Sequence, residues 1–140
     1  MDKFEKQKRI FTIQGILLLV SAVSMFAVTP GIFQDTSPGA LPGQAGTAAL
    51  FGAGIHLLLA IGFIIGARLA KLKRRINNEI NMVSGIALMI IGFIIMDGAF
   101  AFMEELPFVS AGFFLAVFCD FAAAVTSVAA LIMLRRKRKK

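Results

Sequence analysis

Four apolar runs constrain this chain more than any other feature: Ile10–Val28, Thr47–Leu69, Ile80–Phe100 and Ala111–Leu134. A helix of about 20 residues, rising 1.5 Å per residue, crosses the ~30 Å hydrocarbon layer of a bilayer. Lipid offers no hydrogen-bond partner to a bare backbone, so runs of this length must be helical there. They occupy most of the 140 residues, which are 58% hydrophobic with a mean hydropathy of +0.82. A typical soluble domain is about 45–50% apolar. The expected fold is an all-α integral membrane protein, a single four-transmembrane-helix antiparallel bundle in which neighbours in sequence pack together.

Charge sets the expected threading. The 15 Lys and Arg residues fall in three places: 3–9, 68–75 and 135–140. Four crossings put all three on one side of the membrane. The two remaining connections carry acidic residues only, Asp35 in one and Glu104 and Glu105 in the other. This is the positive-inside pattern. Both termini and the segment around residues 70–78 are therefore expected in the cytoplasm, with outer loops at 29–46 and 101–110. The basic segments, residues 1–9 and 135–140 included, read as topology anchors that touch anionic lipid headgroups. Such a distribution argues against nucleic acid as the partner, despite a net charge of +7.

The first apolar run follows a basic leader, as in a secretory signal. It is longer than the 7–15 residues of a signal core, so a retained helix is expected. The loop 29–46 holds Pro30, Pro38, Pro42 and several glycines, a composition that disfavours regular structure. Cys119 is the one cysteine, which excludes an intrachain disulfide and dithiol chemistry.

Small residues mark the expected packing faces. Gly62 and Gly66 form a small-xxx-small pair, and Gly85 and Gly92 recur seven residues apart. Gly112, Ala116, Asp120, Ala123, Ser127 and Ala130 form a continuous stripe. Gln14 and Ser21, also seven apart, share a face expected to meet other helices. The Ile-Gly-Phe-Ile-Ile pentapeptide at 61–65 and 91–95 is the one repeat, and its flanks do not align.

Three ionisable groups lie within the apolar runs: His56, Asp97 and Asp120. Such groups persist in a membrane when paired, hydrated or neutralised. His56 and Asp120 are each about ten residues from the outer end of their helices, so they share a depth, and both sit among small residues that allow close approach. Two readings of the pair stand side by side. One is a polar clamp that fixes helix register; the other is a proton- or cation-coupled site. Asp97, Glu104 and Glu105 form a candidate acidic cluster. They read as a solvated negative rim, or as oxygen ligands for a hard cation if the third helix continues past Phe100. No hydrolase constellation or phosphate-cradling loop is present, and no cofactor is implied.

Two functions follow as expectations. The first is a non-catalytic accessory or scaffold subunit of a larger assembly in the cell membrane, held by other membrane subunits or by self-association. The second is a small oligomeric transporter or channel using His56, Asp97 and Asp120.

Overall fold

The computed structural model describes residues 3–68 and 74–136, with side chains described at 5–68 and 79–133. It is all-helical: α1 Lys3–Phe33, α2 Pro42–Arg68, α3 Arg74–Ala101 and α4 Pro107–Arg136. Each helix contains a stretch long and apolar enough to cross a membrane: Glu5–Phe33, Pro42–Arg68, Glu79–Ala101 and Pro107–Met133. Residues 69–73 and 137–140, which carry much of the basic sequence, lie outside the described residues.

The helices run further than the apolar runs. Pro42 and Pro107 are the first residues of α2 and α4, where the missing N–H has no partner to lose and the fixed φ already suits a helix. At the end of α1 the helix continues through Pro30 to Phe33. A proline inside a helix costs about 3 kcal/mol. Here the extra turn fully buries Ile32, a gain of about 1.5–3 kcal/mol, and lays the Phe33 ring over Gly46 of α2. The 29–46 loop thus shrinks to residues 34–41. Inside it, Ser37 donates from its backbone N–H and its hydroxyl to Asp35 Oδ1 at 2.9 and 2.6 Å. Those bonds hold the Asp35 carboxyl below the usual carboxylate range. Gly39 takes the positive φ of 78° that turns the chain toward α2.

α1 packs along α2 and α4, and α3 packs along α4. Aromatic and aliphatic knobs fill glycine holes at these contacts: Phe11 on Gly66, Met25 on Gly52, Phe121 on Gly92 and Phe113 on Gly98. The expected close packing of α2 against α3 is not formed among the described residues. Two clefts separate them instead. One, of about 430 Å³, lies between the stretches around Ala45–His56 and Ile91–Gly98. The other, of about 470 Å³, lies between Leu58–Phe63 and Glu79–Leu88. The reason is local: each glycine hole on α2 and α3 with a knob in it faces α1 or α4, whereas Gly62 meets nothing within 4 Å.

The core divides in two. One cluster joins Met25, Val28, Ile32, Ala53, Ala99, Val109, Phe113 and Ala116. The other joins Phe11, Leu18, Ala60, Phe63, Leu88, Ala123 and Ala124.

A buried polar site at the junction of the two cores

Between the two apolar clusters, α1, α2 and α4 each contribute one polar side chain. His56 Nε2 lies 2.8 Å from Asp120 Oδ2. Ser21 Oγ lies 2.8 Å from Asp120 Oδ1 and 2.8 Å from the Ala116 carbonyl. His56 Nδ1 lies 2.7 Å from the Gly52 carbonyl one turn back. All three side chains are buried, none more than 1% exposed. The small neighbours Ala53, Ala60, Ala116 and Ala123 are buried too, which is what lets the three helices approach closely enough for direct bonds.

The contacts constrain where the hydrogens of the pair lie. The Gly52 carbonyl can only accept, so Nδ1 of His56 carries a hydrogen. One further proton lies between Nε2 and Oδ2, on the ring or on the carboxyl. With the single Ser21 hydrogen on Asp120 Oδ1, the pair is neutral as a unit in either arrangement, and each of its ring nitrogens and carboxyl oxygens has a partner. A buried polar group in this condition avoids the penalty of an unmade bond.

The other sequence candidates lie apart from this site. Asp97, Glu104 and Glu105 are exposed. α3 ends at Ala101, so Glu104 sits in the following turn and does not share a helical face with Asp97. Among the described residues no group of three His, Cys, Asp or Glu side chains could hold a metal ion. Of the glycines, Gly66 is packed by Phe11, Gly85 by Ser127, Gly92 by Phe121 and Gly112 by Val28. Gly62 instead lines the cleft between α2 and α3. The Ala123 carbonyl accepts from Gln14 Nε2, and the Ala116 carbonyl lies 2.8 Å from Ser21 Oγ as a second acceptor beside Asp120 Oδ1 for the one hydroxyl hydrogen.

A second polar layer lies two helical turns away along α1. There Gln14 Nε2 donates to Ala123 O at 3.1 Å and to Ser127 Oγ. Ser127 Oγ is 3.3 Å from Ser84 Oγ of α3. A third layer pairs Asn81 Nδ2 with Gln7 Oε1 at 3.2 Å. The signal for all three is the heptad series Gln7, Gln14 and Ser21 on α1. Sequence reading recognised its last two members and left Gln7 in the basic leader.

No protein-family model matches the sequence, and no curated protein or solved structure gives a significant match to it. The class is therefore defined by the fold alone: among the described residues, an all-helical protein with four helices long and apolar enough to span a membrane.

Proposed function

We propose that this chain is a non-catalytic accessory or scaffold subunit of a larger assembly in the cell membrane. In this reading it is a four-helix antiparallel bundle with both termini cytoplasmic. The asymmetry of Lys and Arg supports that orientation, and the basic ends rest on anionic headgroups.

The observation that carries the reading is the contrast between a self-satisfied ionisable pair inside and an incomplete exterior. Inside, His56, Asp120 and Ser21 satisfy one another. The cleft beside His56 has that residue as its only polar lining side chain among the described residues, a lining that favours apolar occupants over an ion. Outside, α2 and α3 leave a trough bordered by Gly62, Val83, Ala87 and Leu88. Without a hydrophobic driving force in lipid, helix association relies on close packing at small residues, and Gly62 offers such a place unused.

Mild extraction of the native protein, size analysis and identification of co-purifying chains test the proposal. Stoichiometric membrane subunits are expected, and Gly62→Leu, which has space in the isolated chain, is expected to release them. A lone homo-oligomer whose flux is abolished by Asp120→Asn would replace this reading with the transporter.

A further inference from the structure

The interior near the start of α1 holds polar atoms that no described residue satisfies. Gln7 Nε2, Gln14 Oε1 and Asn81 Oδ1 are buried without a hydrogen-bond partner among the described residues, in side chains at most 3% exposed. Each amide is bonded through its other end. Rotating the amides does not remove the deficit. Turning Gln14 over sets its Oε1 against the Ala123 carbonyl, acceptor against acceptor. Exchanging N and O in both Gln7 and Asn81 leaves one donor and one acceptor unmatched as before.

The bonded ends of these three side chains belong to one chain of polar groups. Ser84 Oγ is 3.3 Å from the Asn81 main-chain carbonyl and 3.3 Å from Ser127 Oγ, and Ser127 Oγ takes the Gln14 hydrogen bond. The path starts at Gln7, in the second turn of α1, and ends at Gln14, about 10.5 Å further along the helix axis. One unmatched donor and two unmatched acceptors call for a molecule that both accepts and donates. A bare cation suits the two carbonyl oxygens and is repelled by the Gln7 N–H. Water meets both demands, and a buried water ordinarily has two to four such partners.

We infer that ordered water enters the bundle at the Gln7–Asn81 end and extends as a hydrogen-bonded column to Gln14. It stops there. Leu18, Ala60 and Ala123, all fully buried, form the next layer. Beyond them Asp120 is already satisfied by Ser21 and His56. One apolar layer therefore stands between water and the buried His56–Asp120 pair. This inference is independent of what the trough between α2 and α3 binds.

The test uses the whole wild-type chain in lipid nanodiscs, with 15N in Gln and Asn side chains, and reads magnetisation and hydrogen exchange between water and the NH2 groups. Gln34 and Gln44, which are exposed, are the wet references; the backbone amides of Leu18 and Ala123 are the dry ones. Water cross-peaks are expected at Gln7, Asn81 and Gln14, with exchange at least tenfold faster than at Leu18. Cross-peaks at Gln7 alone overturn the inference, because Gln7 lies nearest the end of the bundle. Protection of all three does so too. In Gln14→Leu, Asn81 is expected to keep its water contact; its loss would show that the column does not fill from the Gln7 end.

Discussion

Replacing Asp120 by Asn tests whether the buried pair works through charge or through geometry. The carboxyl accepts from Ser21 at 2.8 Å and faces His56 Nε2 at 2.8 Å. An asparagine of the same shape can keep both contacts. Its Oδ1 takes the Ser21 hydrogen, and its NH2 donates to Nε2 of a neutral His56 whose Nδ1–H stays on the Gly52 carbonyl. What is lost is the ionic share of the bond. Hydrogen bonds to charged groups contribute about twice what neutral ones do, and interhelical bonds in membranes are worth at most about 1.7 kcal/mol, so Asp120→Asn is expected to cost at most about 1 kcal/mol. Asp120→Ala strands the imidazole Nε2 in an apolar layer and opens a small void. Breaking a buried pair from one side costs about 3–5 kcal/mol in water-soluble proteins. Interhelical bonds in membranes are weaker, about 0.6 and at most about 1.7 kcal/mol, because the unfolded helices also find partners in lipid. The membrane figure governs the bond here, and the void adds to it, so about 2–3 kcal/mol is expected for Asp120→Ala.

Cys119 supplies the assay. It is the one cysteine and it is buried, so a thiol-reactive dye reports unfolding as heat or denaturant exposes it. The midpoints are expected to fall in the order wild type, Asn, Ala. Equal losses for Asn and Ala would refute the geometric reading, because they would show that the charge, and not the pattern of donors and acceptors, holds the helices. No loss in either would remove the pair from the account of stability.

Further outcomes follow from the same contacts. The double replacement His56→Leu with Asp120→Leu removes both polar partners together and is expected to be less damaging than Asp120→Ala alone, since two matched apolar groups leave no imidazole unmet; the same dye assay reads it. Gly92→Ala places a methyl against the Phe121 ring and is expected to cost about 1–3 kcal/mol through overpacking. Gly62→Ala has free space and is expected to raise the stability of the isolated chain by up to about 1 kcal/mol through helix propensity. Asp35 is held low by its bonds from Ser37, so the order of its turn is present above the ordinary aspartate value of about 3.9 and is lost as pH falls through the lower folded value. The Ser37 amide resonance is expected to titrate below pH 3.9, and a midpoint at or above it would contradict the turn.

The sequence carried the membrane class because hydropathy and helix length are local properties: 20 apolar residues require a helix whatever surrounds them. It also carried His56 and Asp120 as a pair to be weighed, since depth along two helices can be counted and small residues mark close approach. The end of α1 could not be read that way. Pro30 argues for a loop in isolation, and only the burial of Ile32 and the fit of Phe33 on Gly46 outweigh it. The same holds for Ser21, whose part in the site depends on the rotation of α1 against α4.

The arrangement of α2 and α3 shows why helix order was harder to read than helix identity. A short connection brings two helices near each other without making them pack; packing needs knobs opposite holes. Along α1 and α4 the bulky residues Phe11, Met25, Phe113 and Phe121 stand opposite Gly66, Gly52, Gly98 and Gly92, and those pairs are separated in sequence by as few as 15 and as many as 55 residues. Gly62 has no such counterpart. A glycine in a membrane helix therefore identifies a face that permits close approach, while the residue that uses it must be found elsewhere. For Gly62 no described residue of this chain uses the face, so under the proposed accessory role the trough beside it, and not the satisfied polar pair inside, is where a partner would be sought.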